Sequence, residues 1–140
     1  MRVYFERADA VTASALDIDE GTEVCVRDRV MSADGIPVQL AASRLPREIT
    51  RDTTIEETDT GPGGLYSRLE DAGHTLDHFV ERVSARLATH DEQAKLQLPE
   101  GTPVILVTRI AYNTDGRALE VNAMTMSADR YELVYELPAG

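Results

Sequence analysis

The chain repeats itself, and this constrains its fold more than any other feature. Leu16-Asp17-Ile18-Asp19-Glu20-Gly21-Thr22-Glu23-Val24 returns 80 positions later as Leu96-Gln97-Leu98-Pro99-Glu100-Gly101-Thr102-Pro103-Val104, and the register continues to Arg29 and Arg109. Each copy then meets a turn, Asp34-Gly35 or Asp115-Gly116, flanked by alternating residues of the kind that pair as a β-hairpin. Ahead of each copy stand a short strand-like stretch, Val3 to Glu6 or Phe79 to Ala85, and a helical one, Ala8 to Leu16 or His90 to Leu96. Asp91, just before the apolar-periodic Ala94 and Leu98, is the expected cap of the second helix. Strand, helix and hairpin used twice predict an α+β domain, a central antiparallel sheet with helices packed on its face. Two copies at this spacing are too few, and the period too long, for a solenoid.

The stretch between the copies differs in character. It runs from Pro46 through the acidic, Thr-rich Asp52-Thr53-Thr54-Ile55-Glu56-Glu57-Thr58-Asp59-Thr60 to Gly61-Pro62-Gly63-Gly64, and reads as a linker. Leu65, Tyr66 and Leu69 then fall at helical spacing, with Gly73 as the stop. At 140 residues and 42% hydrophobic content, the whole suits one domain, residues 1–140, with a genuine core.

Charge narrows the partners. With 25 acidic against 14 basic residues, the net charge of −11 repels a phosphate backbone, and no local basic stripe offsets it. The longest apolar run, Val104-Ile105-Leu106-Val107, is strand-sized and far short of the ~20 residues of a membrane span. The opening Met1-Arg2-Val3-Tyr4-Phe5-Glu6 lacks the apolar core of a secretory signal. The single Cys25, between Val24 and Val26, reads as a small buried hydrophobe. A cytoplasmic location without a membrane partner is expected.

Two places could hold an anion. Alternation along Val24 to Met31 puts Arg27 and Arg29 on one strand face with Cys25 and Met31, opposite Val24, Val26, Asp28 and Val30. Such a pair is either a solvated edge or a clamp for a carboxylate or phosphate, which guanidinium groups bind bidentately. Arg109 repeats Arg29 in an apolar setting, between Val107 and Ala111, where an unpaired charge is costly. The second place is the glycine-opened helix start at Gly64 and Leu65, where backbone N–H groups face outward. In the last hairpin strand, strict alternation sets Glu120, Asn122, Met124 and Met126 on one face and Leu119, Val121 and Ala123 on the other. Glu120 corresponds to Gln39 of the first copy.

Catalytic constellations are poor. His74, His78 and His90 lack metal-ligand spacing, there is no Gly-x-Ser-x-Gly elbow, and no two carboxylates share an evident apolar setting. No metal, cofactor or catalytic residue is expected.

The order of these features resembles the UTRA effector-binding domain of the HutC branch of GntR transcription regulators. The residues that carry the resemblance are Ala15-Leu16 to Val24, Arg27-Asp28-Arg29, Asp34-Gly35-Ile36-Pro37-Val38 to Leu45-Pro46, and Gly64-Leu65-Tyr66-Ser67-Arg68-Leu69-Glu70. They continue in Ala94 to Leu98, Gly101-Thr102-Pro103-Val104, Gly116 to Glu120 and Asp129-Arg130-Tyr131. The resemblance implies a chorismate lyase-like fold enclosing a small-molecule pocket, a homodimer, and a winged helix-turn-helix domain that precedes such domains and is missing from this sequence. DNA would be bound only through that missing domain.

The resemblance also implies that Arg27 and Arg29 grip the effector's acidic group, closed by backbone N–H groups near Gly64 and Leu65. On this reading the ligand-binding set is Arg27, Arg29, Gly64, Leu65, Tyr66, Glu120, Asn122 and Met126. Three departures point away from a sugar phosphate and toward a less polar carboxylate. Gly64 stands where amino-sugar-phosphate binders place a serine, Ala41 where they place a glutamate, and Met126 where they place a tyrosine. A chorismate lyase-like enzyme acting on a small carboxylate is the alternative function, and a pure dimerisation domain a third. Replacing Arg27 or Arg29 with Ala is expected to abolish effector binding and leave the fold intact.

Overall fold

A computed structural model describes residues 1–140. The chain runs β1 (Arg2–Arg7), α1 (Ala10–Leu16), β2 (Glu23–Ala33) and β3 (Ile36–Pro46). It continues through α2 (Arg47–Thr50), a 3₁₀ turn (Thr54–Glu56) and α3 (Gly64–Asp71). The second half is β4 (Leu76–Leu87), α4 (His90–Leu96), β5 (Pro103–Asn113) and β6 (Ala118–Ser127). All strand pairs are antiparallel, in one six-stranded sheet of order β1-β2-β3-β6-β5-β4. The α+β class expected from the sequence is the class observed. The hairpins β2–β3 and β5–β6 join at the sheet centre, where Ala42 faces Ala123.

Local chemistry explains the matching elements. Asp9 caps α1 by accepting from Thr12 N at 2.8 Å. Thr89, not Asp91, caps α4, forming a capping box with Glu92. Asp91 lies one turn further in, where an acid still favours the helix start. Both helices stop on a residue with left-handed backbone, Asp17 at φ 53° and Gln97 at φ 55°. Leu98 therefore lies beyond the end of α4, and packs with Leu96 and Val104 from the loop.

The sheet is covered on both faces. Over one face, α1 buries Ala13 and Leu16 against Val24, Val26, Ile110, Ala118 and Val121, and α4 brings Leu96 against Val104. Over the other, the segment between the halves packs Ile49, Ile55 and Leu69 on Leu45 and Leu119. The linker reading is thus corrected: an acidic, Thr-rich stretch carries two short helical turns and inserts Ile55 so that it is fully buried. Cys25 is buried as expected, and burial pushes its thiol above the ordinary range.

One face assignment also changes. Ala111 faces Glu120 while Tyr112 faces Ala118, so Leu119 is an extra residue in β6. Such a bulge breaks strict alternation. Leu119 accordingly joins the Leu45 cluster rather than the face of Val121. The first hairpin has the same irregularity, since Met31 faces Gln39 while Ser32 faces Pro37. Gln39 and Glu120 therefore occupy matching places beside matching bulges.

Candidate functional site

The face opposite α1 and α4 carries a straight polar row across five strands. Arg27 faces Ser43, Ser43 faces Asn122, Asn122 faces Arg109, and Arg109 faces Glu81. The next row is mostly apolar, Arg29–Ala41–Met124–Val107–Val83, and the one beyond it is Met31–Gln39–Met126–Ile105–Ala85. Two segments roof this face, the α2–α3 stretch over the β2 side and the C-terminal tail from Tyr131 over the β5 side.

Arg27 is not a free fork. Its Nη1 donates to the carbonyls of Ile55, at 2.6 Å, and Glu57, and its Nη2 donates to that of Thr58 at 3.2 Å. Only 5% exposed, it straps the linker to the sheet, and burial draws its guanidinium below its ordinary value. Arg29 differs. It is half-buried, has no carboxylate partner, and donates a single nitrogen to the carbonyl of Arg27 at 3.3 Å and Ser43 Oγ at 3.2 Å. The two-forked clamp expected from the strand pattern becomes one open cation beside one largely engaged. Both arginines line a recess of about 210 Å³ with Met1, Thr60 and Leu65.

The helix start is also partly engaged. Gly64 donates its N–H to Gly61 O at 3.2 Å, so that group does not close the recess. Leu65 and Tyr66, the next two residues of α3, have no side-chain cap and no backbone acceptor, leaving their N–H groups available. Gly63 explains why the turn needs glycine: its φ is +86°, and a Cβ there would lie 2.2 Å from Ser67 Oγ.

The remaining expected residues separate into two groups. Glu120, 1% exposed, accepts from Tyr66 Oη at 2.8 Å, and this pairing anchors α3 over β6. Burial, reinforced by the Glu120 carboxylate, pushes the Tyr66 phenol well above its ordinary value, so it stays a donor. Asn122 is 6% exposed and its Oδ1 has no hydrogen-bond partner. A buried acceptor in that condition costs free energy unless something donates to it. Met126 faces a different space, a cavity of about 340 Å³ floored by Gln39, Val107, Met124 and Met126 and roofed by Tyr131 to Tyr135.

The sequence pattern did not reveal Glu81 or the tail. Glu81 pairs with Arg109 at 3.1 Å and accepts from Tyr135 Oη at 3.0 Å. The apolar neighbours of Arg109 signalled that it needed a partner, but finding one required the β4–β5 register. No group of His, Cys, Asp or Glu could hold a metal ion, and His78 instead stacks on Tyr112 at 4.8 Å. No helix is long and apolar enough to cross a membrane.

Comparison with known proteins agrees with this architecture. The UTRA domain family profile matches residues 2–132. An HTH-type transcriptional regulator of Streptomyces coelicolor is 30% identical over 133 residues, covering 93% of this chain and 49% of the regulator. The HTH-type transcriptional repressor PhnF of Mycolicibacterium smegmatis is 30% identical over 123 residues, covering 88% of this chain and 50% of the repressor. The crystal structure of the effector domain of PhnF from Mycobacterium smegmatis superposes with a TM-score of 0.84 at 27% identity, covering 99% of this chain and 85% of that one. The chain spans about half the length of the two regulators.

Proposed function

The chain belongs to the UTRA domain family, and on that premise we propose that it is the effector-sensing and dimerising part of a GntR-type, HutC-branch transcription regulator. It acts in the cytoplasm and controls DNA through a winged-helix domain outside these residues. The effector is a small anion. The observation that carries this reading is the recess where Arg29, without a carboxylate partner, meets the uncapped start of α3 at Leu65. Leu65, Tyr66 and Asn122 supply directional groups around it, Arg27 and Glu120 hold its walls, and Gly64 sets the turn. Met126 lies apart from it, in the cavity under the C-terminal tail.

Control follows from linkage. An effector shifts the regulator between two arrangements only by its differential affinity for them, so the ligand must reach a part that moves. The α2–α3 stretch forms the fixed wall of the recess, tied to the sheet by Arg27 and Tyr66, and the C-terminal tail, held by side chains alone, is the part suited to move. Binding without turnover fits a site that lacks a paired acid and base. The relatives named above are regulators, which supports the same view.

The test is a thermal-shift screen of carboxylates and phosphates, followed by calorimetry on any hit. Arg29→Ala should keep the wild-type unfolding midpoint and lose at least tenfold in affinity, as removal of one partner of a desolvated charge pair costs about 2–5 kcal/mol. Wild-type affinity in that variant would overturn the assignment. Pyruvate release from chorismate would replace sensing with catalysis.

A further inference from the structure

The free edge of β4 is unguarded. The strand is 12 residues long, and all of them but Leu76 and Glu81 are exposed. Long edge strands are usually protected by Lys, Pro or a bulge, because their unpaired N–H and C=O groups can template another strand. β4 carries neither Lys nor Pro, and from His78 to Leu87 its register with β5 is unbroken. Phe79, Val83 and Leu87 recur every fourth residue on the face of the polar row and are 46%, 52% and 64% exposed, with Val80 exposed on the other face. We infer that β4 pairs antiparallel with β4 of a second copy of this chain, about a two-fold axis at Val83, joining two six-stranded sheets edge to edge.

The charges along β4 select both the partner and the register. An axis normal to the sheet keeps each residue on its own face, so it must pass through a residue. At Val83, Phe79 meets Leu87 of the second copy, Val83 meets Val83, Glu81 meets Ala85, Val80 meets Arg86 and Arg82 meets Ser84. Apolar groups thus oppose one another, and no like charges stand directly opposite. Glu81 and Arg86 are already neutralised within each copy, by Arg109 and Glu92. Neighbouring axes fail. At Glu81 or Arg82 that charge faces itself, at Phe79 Glu81 faces Asp77, and at Ser84 Arg82 faces Arg86. At Val80, Phe79 faces Glu81 and Val83 faces Asp77, while an axis at Ala85 leaves Phe79 and Val80 outside the overlap. The paired edge also borders the start of α3, since the Phe79 ring lies 5.6 Å from that of Tyr66.

The inference rests on the dimerising role proposed above and gives it a surface. Sedimentation velocity of the chain at micromolar concentration should show a dimer. Val83→Lys sets two ammonium groups against each other on the axis and should raise the dimer dissociation constant by more than about tenfold, with an unchanged circular dichroism spectrum. Val11→Lys, at an exposed position of α1 away from β4, should leave the dimer as it is. Cross-linking reads the register directly. Val83→Cys should form a disulfide with itself on mild oxidation, because residues on the axis have Cα atoms about 4.5–5.5 Å apart. Arg82→Cys and Ser84→Cys should each stay uncoupled alone, at about 8 Å from their own copies, and join when mixed. A dimer that survives Val83→Lys and does not couple through Val83→Cys, or one broken by Val11→Lys instead, would overturn this pairing and leave the dimerising role standing. A wild-type monomer would overturn both.

Discussion

Arg29 and Arg109 hold the same place in the two halves of the molecule, yet one is open and the other closed. Each lies on the second strand of its half, on the same face of the sheet. Opposite Arg109 the edge strand β4 supplies Glu81, which completes an ion pair. Near Arg29 stands Met1 instead, and no carboxylate reaches the guanidinium. Two halves of the same element order thus yield a neutralised site in one and a free cation in the other. The choice is made by the residue that the neighbouring edge strand presents.

The roofs differ in the same way. The α2–α3 stretch over the first half is part of the core, whereas the tail over the second half is tied by side chains alone. Removing the fully buried Ile55 side chain should therefore have the largest effect. Ile55→Ala is expected to cost about 3 kcal/mol, within the usual range for a buried aliphatic truncation, read from the urea midpoint. A loss under about 1 kcal/mol would mean that this roof is as loosely held as the tail.

Arg27→Met comes next, since it keeps the apolar stem and removes the fork. Three carbonyls lose their donor, and about 2 kcal/mol of stability should go with them. The sequence-based expectation that an Arg27 substitution leaves the fold intact thus gains a stability cost, because Arg27 is engaged by the linker. Stability equal to wild type would restore it.

The helix starts offer a third comparison. In α4, Glu92 accepts from Arg86 and from Thr89 N, while α1 has only the Asp9 cap. The Arg86 guanidinium, with the helix N–H groups, holds the Glu92 carboxyl below the usual range. A depressed folded value means that the contribution is complete above the unfolded pKa, about 4.3 for a free glutamate, and fades as pH falls through the folded value. Glu92→Gln should cost about 1 kcal/mol at pH 7 and less as the pH drops to 3, which acid-dependent thermal melts would reveal. A constant difference across that range would deny the ionic role.

Tyr135→Phe is the smallest change. One partly exposed hydrogen bond is lost, so stability should move by about 0.5 kcal/mol or less, while hydrogen exchange in residues 131–137 should quicken. Unchanged exchange would show that apolar packing, not Tyr135, holds the tail.

Much of this was legible in the chain itself. The Asp34-Gly35 turn, the Glu-Gly-Thr repeats and the alternation of β2 are local chemistry, and they fixed the hairpins, the α+β class and the shared face of Arg27 and Arg29. The motif order was specific enough to place the family. Three errors share another origin: Ile55 in an acidic stretch, Leu119 at a bulge and Arg27 engaged by carbonyls each depend on contacts between residues distant in sequence, or on a register shift that alternation does not encode.

Sequence periodicity therefore determined which residues point the same way, because side-chain direction follows from backbone geometry over a few residues. Which cation stays free was decided only by the tertiary structure. A charge is engaged by whatever group the fold brings within a few ångströms: linker carbonyls hold Arg27, Glu81 of the adjacent edge strand neutralises Arg109, and Arg29 meets only a carbonyl and the Ser43 hydroxyl.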